Sequence, residues 1–182
     1  MVKIVAFDLE TSGFRPDKDE VLEIGAVAYF PSTSERRFFK RLILNRRPIH
    51  KKAIQIHGLS SEYLRDHGAV TLQEAMKDFV DFCSEDCHSI KIVGHNIMRF
   101  DMRFLEINLG RTGLALPRVH SIHDTYIVER RLVSTSGPRR GRGLGLKDCC
   151  LYRGIPVSGK THRALYDSYL ALRLYRKQWK QS

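Results

Sequence analysis

No stretch of this sequence approaches the roughly 18 to 20 uninterrupted apolar residues of a membrane-spanning helix, so the chain is expected to have no membrane partner. Cysteine is scarce: Cys83, Cys87, Cys149 and Cys150 are the whole set. All four fall in sequence that reads as helical; Cys83 and Cys87 share a helix face, and Cys149 and Cys150 are adjacent. Neither pair has the CxxC spacing of a zinc site, and reduced thiols in a reducing compartment are the simpler reading, with Cys87-His88 the one pair that keeps metal open. A signal peptide is not expected, because strand-like sequence starts at Val2 with no basic n-region ahead of it, which points to an intracellular home in cytoplasm or nucleus. Internal repeats and an acidic tail are also missing.

Acidic residues are in deficit: 20 against 31 Lys and Arg, a net charge of +11. The excess is clustered, in "ERRFFKRLILNRRPIHKK" (35–52) and "VERRLVSTSGPRRGRG" (128–143). A solvated face explains any single charge run, but this clustering favours a polyanionic partner, most simply nucleic acid. At 182 residues, 42% hydrophobic, the chain suits a single domain (1–182) with a sizeable core.

The order of elements follows from periodicity and turn residues. Strands are predicted at 2–9, 21–30 and 36–44, joined by hairpin-like connections and therefore antiparallel. A loop from Pro48 leads to "IHGLSSEYL", where Ser60 or Ser61 caps a short helix, and a second helix spans 71–84. Strand 90–94, helix 98–110, strand 118–124 and a helix from Thr125 follow. Residues 133–143 have the composition of a flexible basic loop, and helices at 144–153 and 163–179 close the chain. Three antiparallel strands followed by strand–helix–strand predict an α/β three-layer domain, a mixed five-stranded sheet flanked by helices.

The acids sit where acids are least expected. The opening "MVKIVAFDLETSGF" is a buried strand that ends in Asp8 and Glu10, two carboxylates on one strand face. Asp101 falls on the apolar face Met98, Met102, Leu105, Leu109, and Asp167 on the face Ala164, Ala171, Leu174. Salt bridges or hydrogen bonds would satisfy any one of them. Four interior carboxylates from three elements, with no comparable set of interior Lys or Arg, are better satisfied by hard divalent cations, Mg²⁺ or Mn²⁺. Two such ions about 4 Å apart form the clamp used for displacement at phosphorus, so a basic protein with this site is expected to cut phosphodiesters. His162, five residues before Asp167, cannot share its helix face, because five residues turn about 140° past a full circle. It belongs on the loop or first turn before the helix, where an imidazole can take a proton from water at neutral pH.

"FDLETSG", "GHNIMRFD" and "HRALYD", in that order, resemble the three motifs of the DnaQ-like, DEDDh-type 3′–5′ exonucleases, over roughly residues 2 to 175 and including "IHGLS" and "HDT". The resemblance implies an RNase H-like fold and a two-metal mechanism. Asp8, Glu10, Asp101 and Asp167 would bind two Mg²⁺ or Mn²⁺ ions, and His162 would be the general base. The substrate would be single-stranded DNA or RNA 3′ ends, DNA favoured, and the product a nucleoside 5′-monophosphate. It also implicates the turn after the first motif, Thr11, Ser12 and Phe14, against the terminal nucleotide. Turn formation accounts for Thr11 and Ser12 equally well, and Phe14 either stacks on a base or fills the core. Because several members of that family are dimers or polymerase subunits, the resemblance leaves a homodimer or a larger nucleic-acid-processing complex open for this chain.

Asn96 either supports the loop before Asp101 or approaches the substrate. His57 and His95 read as structural turn residues, Asp124 as a helix cap outside the metal set, and Glu23 as a candidate for the edge of the site. Arg139, Arg140 and Arg142 of the basic loop are expected to grip the substrate backbone, with a solubilising loop as the alternative. Four other functions compete: an exoribonuclease and a structure-selective endonuclease on the same fold, a non-catalytic nucleic-acid-binding module, and a phosphoesterase acting on other substrates.

Overall fold

The computed structural model describes residues 2–136, 143–159 and 162–179. Strand β1 (Val2–Thr11) is central, because its side chains find cover on both faces. It pairs antiparallel with β2 (Val21–Phe30), which pairs antiparallel with β3 (Glu35–Leu42). On its other edge β1 runs parallel to β4 (Ser89–Gly94), which runs parallel to β5 (Arg118–Asp124). The sheet order is β3-β2-β1-β4-β5, the expected mixed five-stranded sheet.

One face of the sheet is closed by α3 (Leu72–Ser84) and α4 (Asp101–Thr112). Val5, Phe7 and Leu9 of β1 meet Phe79, Phe104 and Leu105 there. Phe79 sits edge-on to Phe7 and tilted against Phe39, each at 5.6 Å between ring centroids. Thr71 starts α3 with a reciprocal capping box to Glu74, which is why the helix begins where its apolar period does. The opposite face is covered by α7 (Ala164–Trp179), whose Leu172 and Tyr175 pack on Ile4, Ala6, Val27 and Tyr29. Behind α7 lie α5 (Thr125–Ser136) and α6 (Leu146–Tyr152), and Cys149 and Cys150 are buried with Leu170 and Leu174. These are the three layers of the α/β fold.

Four local expectations change. Residues Lys51–His57, read as loop, form a short helix, α1, held by burial of Ala53 and His57 and closed by Gly58 in the left-handed region (φ 77°). It precedes α2 (Ser61–Asp66), capped by the Ser60 hydroxyl. Helix α4 starts at Asp101 rather than residue 98, because 97–100 turn more widely and the Met102 amide reaches back to the Ile97 carbonyl. Met98 is consequently exposed and off the apolar face. Helix α5 continues to Ser136, through the first residues assigned to the basic loop, and Cys87 lies beyond the end of α3. Arg139, Arg140 and Arg142 fall outside the described residues.

One interior cation does exist. Lys3 is buried, but it faces α3, where its Nζ donates to the carbonyls of Phe82 and Glu85 at 2.7 Å each, so it does not pair with Asp8 or Glu10 on the α7 side.

Candidate active site

The residues of β1 that face α7 run Ile4, Ala6, Asp8, Glu10, so the acids follow the last small side chain on that face. Strand β4 pairs with β1 only as far as Ala6 and Val93. Beyond that point the edge of β1 is open, and the Leu9 amide donates to Asp101 Oδ1 at 3.0 Å. That bond seats the first residue of α4 beside Asp8, at the carboxyl ends of the parallel strands, where open α/β sheets bind ligands.

Asp167 arrives from the other side. Opposite Asp8 in the β1–β2 register stands Gly25, and a Cβ there would overlap the Leu165 nitrogen and the Ala164 carbonyl carbon. Glycine lets the head of α7 rest on the backbone of β2, and one turn later Asp167 reaches the acids. Asp8, Glu10 and Asp167 each place an oxygen within 4.8 Å of the others. His162 precedes α7, as its spacing from Asp167 required. It holds a left-handed backbone (φ 65°) that few non-glycine residues adopt, and its amide donates to Asp167 Oδ2 at 2.8 Å. The imidazole is exposed at the rim of the cleft.

The electrostatics are those of anions crowded in a poorly solvated place. Burial first, then the charges of Asp101, Glu10 and Asp167, push the Asp8 carboxyl well above its usual range. Burial with Asp167 and Glu23 takes Glu10 up to about 8. Burial carries Asp101 to about 7 against the opposing Leu9 amide, and Asp167 rises for the same first reason against the His162 amide. Asp167 Oδ1 is buried with no hydrogen-bond partner among the described residues. Converging carboxylates with an orphaned oxygen fit a divalent cation by donor type and by charge.

The cleft holds about 340 Å³. Phe14 stands 71% exposed on its wall, edge-on to Phe100 at 6.2 Å, so it does not fill the core. Thr11 lines the cleft with its hydroxyl turned to the Gly13 carbonyl (2.6 Å). Ser12 is buried in the turn, its hydroxyl accepting from the Glu20 amide at 2.9 Å. Asn96 lines the cleft in a left-handed conformation (φ 60°). Asp124 pins that loop through the amides of Asn96 and Met98 and accepts from Tyr126 at the head of α5. His95 bridges the Thr125 hydroxyl and the Leu144 carbonyl at 2.9 Å each, and His57 contacts the Thr11 carbonyl and the Leu59 amide. Ile56 of α1, also on the wall, was not singled out in the sequence, because the two lysines that open α1 hide a helix only two turns long.

Sheet order, layering and the acid cluster at the strand ends define an RNase H-like α/β domain with a candidate metal centre. The family model described as Exonuclease (RNase_T) matches residues 5–175, and the chain belongs to this exonuclease family. It is 28% identical to the DNA polymerase III subunit epsilon of Rickettsia conorii, over 94% of this chain and 71% of that one. It is 29% identical to ribonuclease T of Buchnera aphidicola, over 97% of this chain and 84% of the relative. Among solved structures it superposes with a TM-score of 0.84 on the zinc-ion-bound form of an E. coli exonuclease I–ssDNA complex, at 16% identity and over 100% of this chain. The chain spans 41% of that exonuclease I chain.

Proposed function

We propose that the chain forms one exonuclease domain that removes nucleoside 5′-monophosphates from the 3′ ends of single-stranded nucleic acid, DNA in preference to RNA. The observation that carries this reading is the meeting of Asp8, Glu10 and Asp167 within 4.8 Å, with Asp101 beside them and His162 at the rim. Two Mg²⁺ or Mn²⁺ ions held by the four acids would lower the pKa of a bound water and neutralise charge gathering on the phosphate. The chain's own groups do the rest. His162 takes the proton of the attacking water, and the hydrogen bond its backbone N–H donates to Asp167 Oδ2 keeps it next to that acid. Phe14 offers an exposed ring on which the terminal base stacks, with Ile56 as the second apolar wall. Thr11 and Ser12 shape the turn that carries Phe14, and Asn96 borders the same cleft. The net charge of +11, including Arg139, Arg140 and Arg142, draws in the phosphate backbone.

That several relatives are subunits of a DNA polymerase supports DNA and a larger assembly for this chain; the ribonuclease T relative supports a second reading, exoribonuclease activity. The test is cleavage of 5′-labelled single-stranded DNA and RNA of one sequence in Mg²⁺, Mn²⁺ or EDTA, by wild type and Asp8→Ala. A ladder shortening from the 3′ end, faster on DNA, absent in EDTA and in the variant, is the expected result. A faster RNA ladder selects the exoribonuclease, and no cleavage of either strand in any metal overturns the proposal.

A further inference from the structure

Beside the four acids lies a fifth, and it is partnered differently. Glu23 is fully buried on β2 and stands opposite Glu10 in the strand register. Another anion here burdens Glu10 further, so its presence calls for a reason. Its Oε2 accepts from Arg163 Nε at 3.2 Å, while Oε1 has no hydrogen-bond partner among the described residues and only the charge of Lys40 Nζ at 3.9 Å. Arg163 is the residue between His162 and the start of α7, and its guanidinium lies over the Tyr63 ring of α2, 5.9 Å from the centroid. It is not among the residues lining the cleft.

We infer that the Glu23–Arg163 ion pair is a positioning device that fixes His162 over the acid cluster. The inference rests on the exonuclease reading. His162 occupies a left-handed backbone, a conformation that costs a non-glycine residue on the order of 1 kcal/mol or more and persists only when its surroundings impose it. Two ties impose it here. The first is its own amide on Asp167 Oδ2. The second is the side chain of the next residue, anchored to Glu23 on the sheet and flanked by Tyr63. With Gly25 letting the head of α7 rest on β2, the anchor determines both the height and the rotation of the segment that carries the imidazole. Oδ2 of Asp167 is occupied by the same segment, so the pair also helps leave Oδ1 without a hydrogen-bond partner among the described residues. Glu23 is therefore the docking point of the arginine, and the four other acids are left for cations.

The experiment is a double-mutant cycle on the full chain, with Arg163→Gln, His162→Ala and their combination assayed on 5′-labelled single-stranded DNA with Mg²⁺. Imidazole NMR spectra of the metal-free proteins accompany it. Arg163→Gln is expected to lower kcat about tenfold or more with KM within about twofold, and to change activity less than about twofold once His162 is already alanine. The His162 ring signals shift in Arg163→Gln, those of His57 and His95 stay, and Glu23→Gln reproduces both effects. Arg163→Lys, which keeps the charge but loses the planar fork, recovers part of kcat and carries the same cycle should the glutamine variant not fold. An equal loss in both His162 backgrounds, a rise in KM at constant kcat, or unmoved His162 ring signals overturns the inference. A wild type that cleaves nothing overturns the exonuclease reading instead, and the ring signals alone then judge the tie.

Discussion

The two faces of β1 are made by alternate residues of one strand. Towards α3 and α4, Val5, Phe7 and Leu9 are at most 5% exposed and pack into the largely apolar core cluster. Towards α7, Ile4 and Ala6 give way to Asp8 and Glu10 after two strand repeats. The first face gains stability from apolar area removed from water. The second loses some of it, since its carboxylates are desolvated next to one another. The fold tolerates the acidic face because the apolar one is complete. Stability and proposed chemistry thus sit on opposite sides of the same backbone and should respond oppositely to substitution.

The sharpest break is a pair of variants, one per face. Asp8→Asn keeps the shape and removes a charge from the acidic face. Metal-dependent cleavage should fall on the order of a thousandfold or more, while the melting temperature without metal rises by a few degrees. Phe79→Ala empties the centre of the apolar face, where the ring meets Phe7 and Phe39. It should lose about 3–5 kcal/mol, roughly 6–20 °C in melting temperature, with activity per folded molecule unchanged. Calorimetry and an exonuclease assay on the same preparations check both. If Asp8→Asn destabilises the metal-free protein, the contrast between the faces is wrong.

Gly25→Ala sits between these extremes. Its Cβ would lift the head of α7 from β2, separating Asp167 from Asp8 and Glu10 without touching a charge. A displacement near 1 Å is expected to lower kcat roughly a hundredfold with a smaller loss of stability than Phe79→Ala. A kcat unchanged within twofold would show that α7 sets its distance by other contacts.

The strands and the long helices were legible because their periods are local: β2 and β5 fall on the predicted residues, and α3 starts at its capping box. Asp8, Glu10, Asp101 and Asp167 stood out because each is a polar residue on an apolar face, and His162 because helix geometry forbids it the face of Asp167. What the sequence concealed depends on tertiary contact. Helix α1 lacks a side-chain cap and opens with two lysines, so only burial of Ala53 and His57 makes it a helix. Met98 has the spacing of a helical core residue, yet Asp124, from another strand, holds its amide in a turn. Glu23 and Arg163 are 140 residues apart, and no period in either segment pairs them. Phe14 could not be assigned to core or surface until the Gly13 turn was seen to carry it outward.

The smallest expected effect concerns pH. The folded protein holds Glu10 at about 8 and Asp101 at about 7, both above their usual values near 4, so between about pH 4 and 8 it binds more protons than the unfolded chain. Stability contributed by these groups is therefore fully present below about pH 4 and lost as pH rises through 7 to 8. Glu10→Gln carries its neutral form at every pH. Its melting temperature should exceed that of wild type by a few degrees at pH 9 and match it near pH 4, where wild-type Glu10 is already protonated. Added Mg²⁺ should stabilise wild type most at pH 8–9, where the carboxylates must otherwise stay charged side by side, and hardly at all near pH 5. Scanning calorimetry of both proteins across this range reads the difference directly, and the comparison cancels every titrating group the two share. A gap that widened towards acid would mean that the acids are stabilised as anions by the fold itself, and that the α7 face needs no cation to be tolerated.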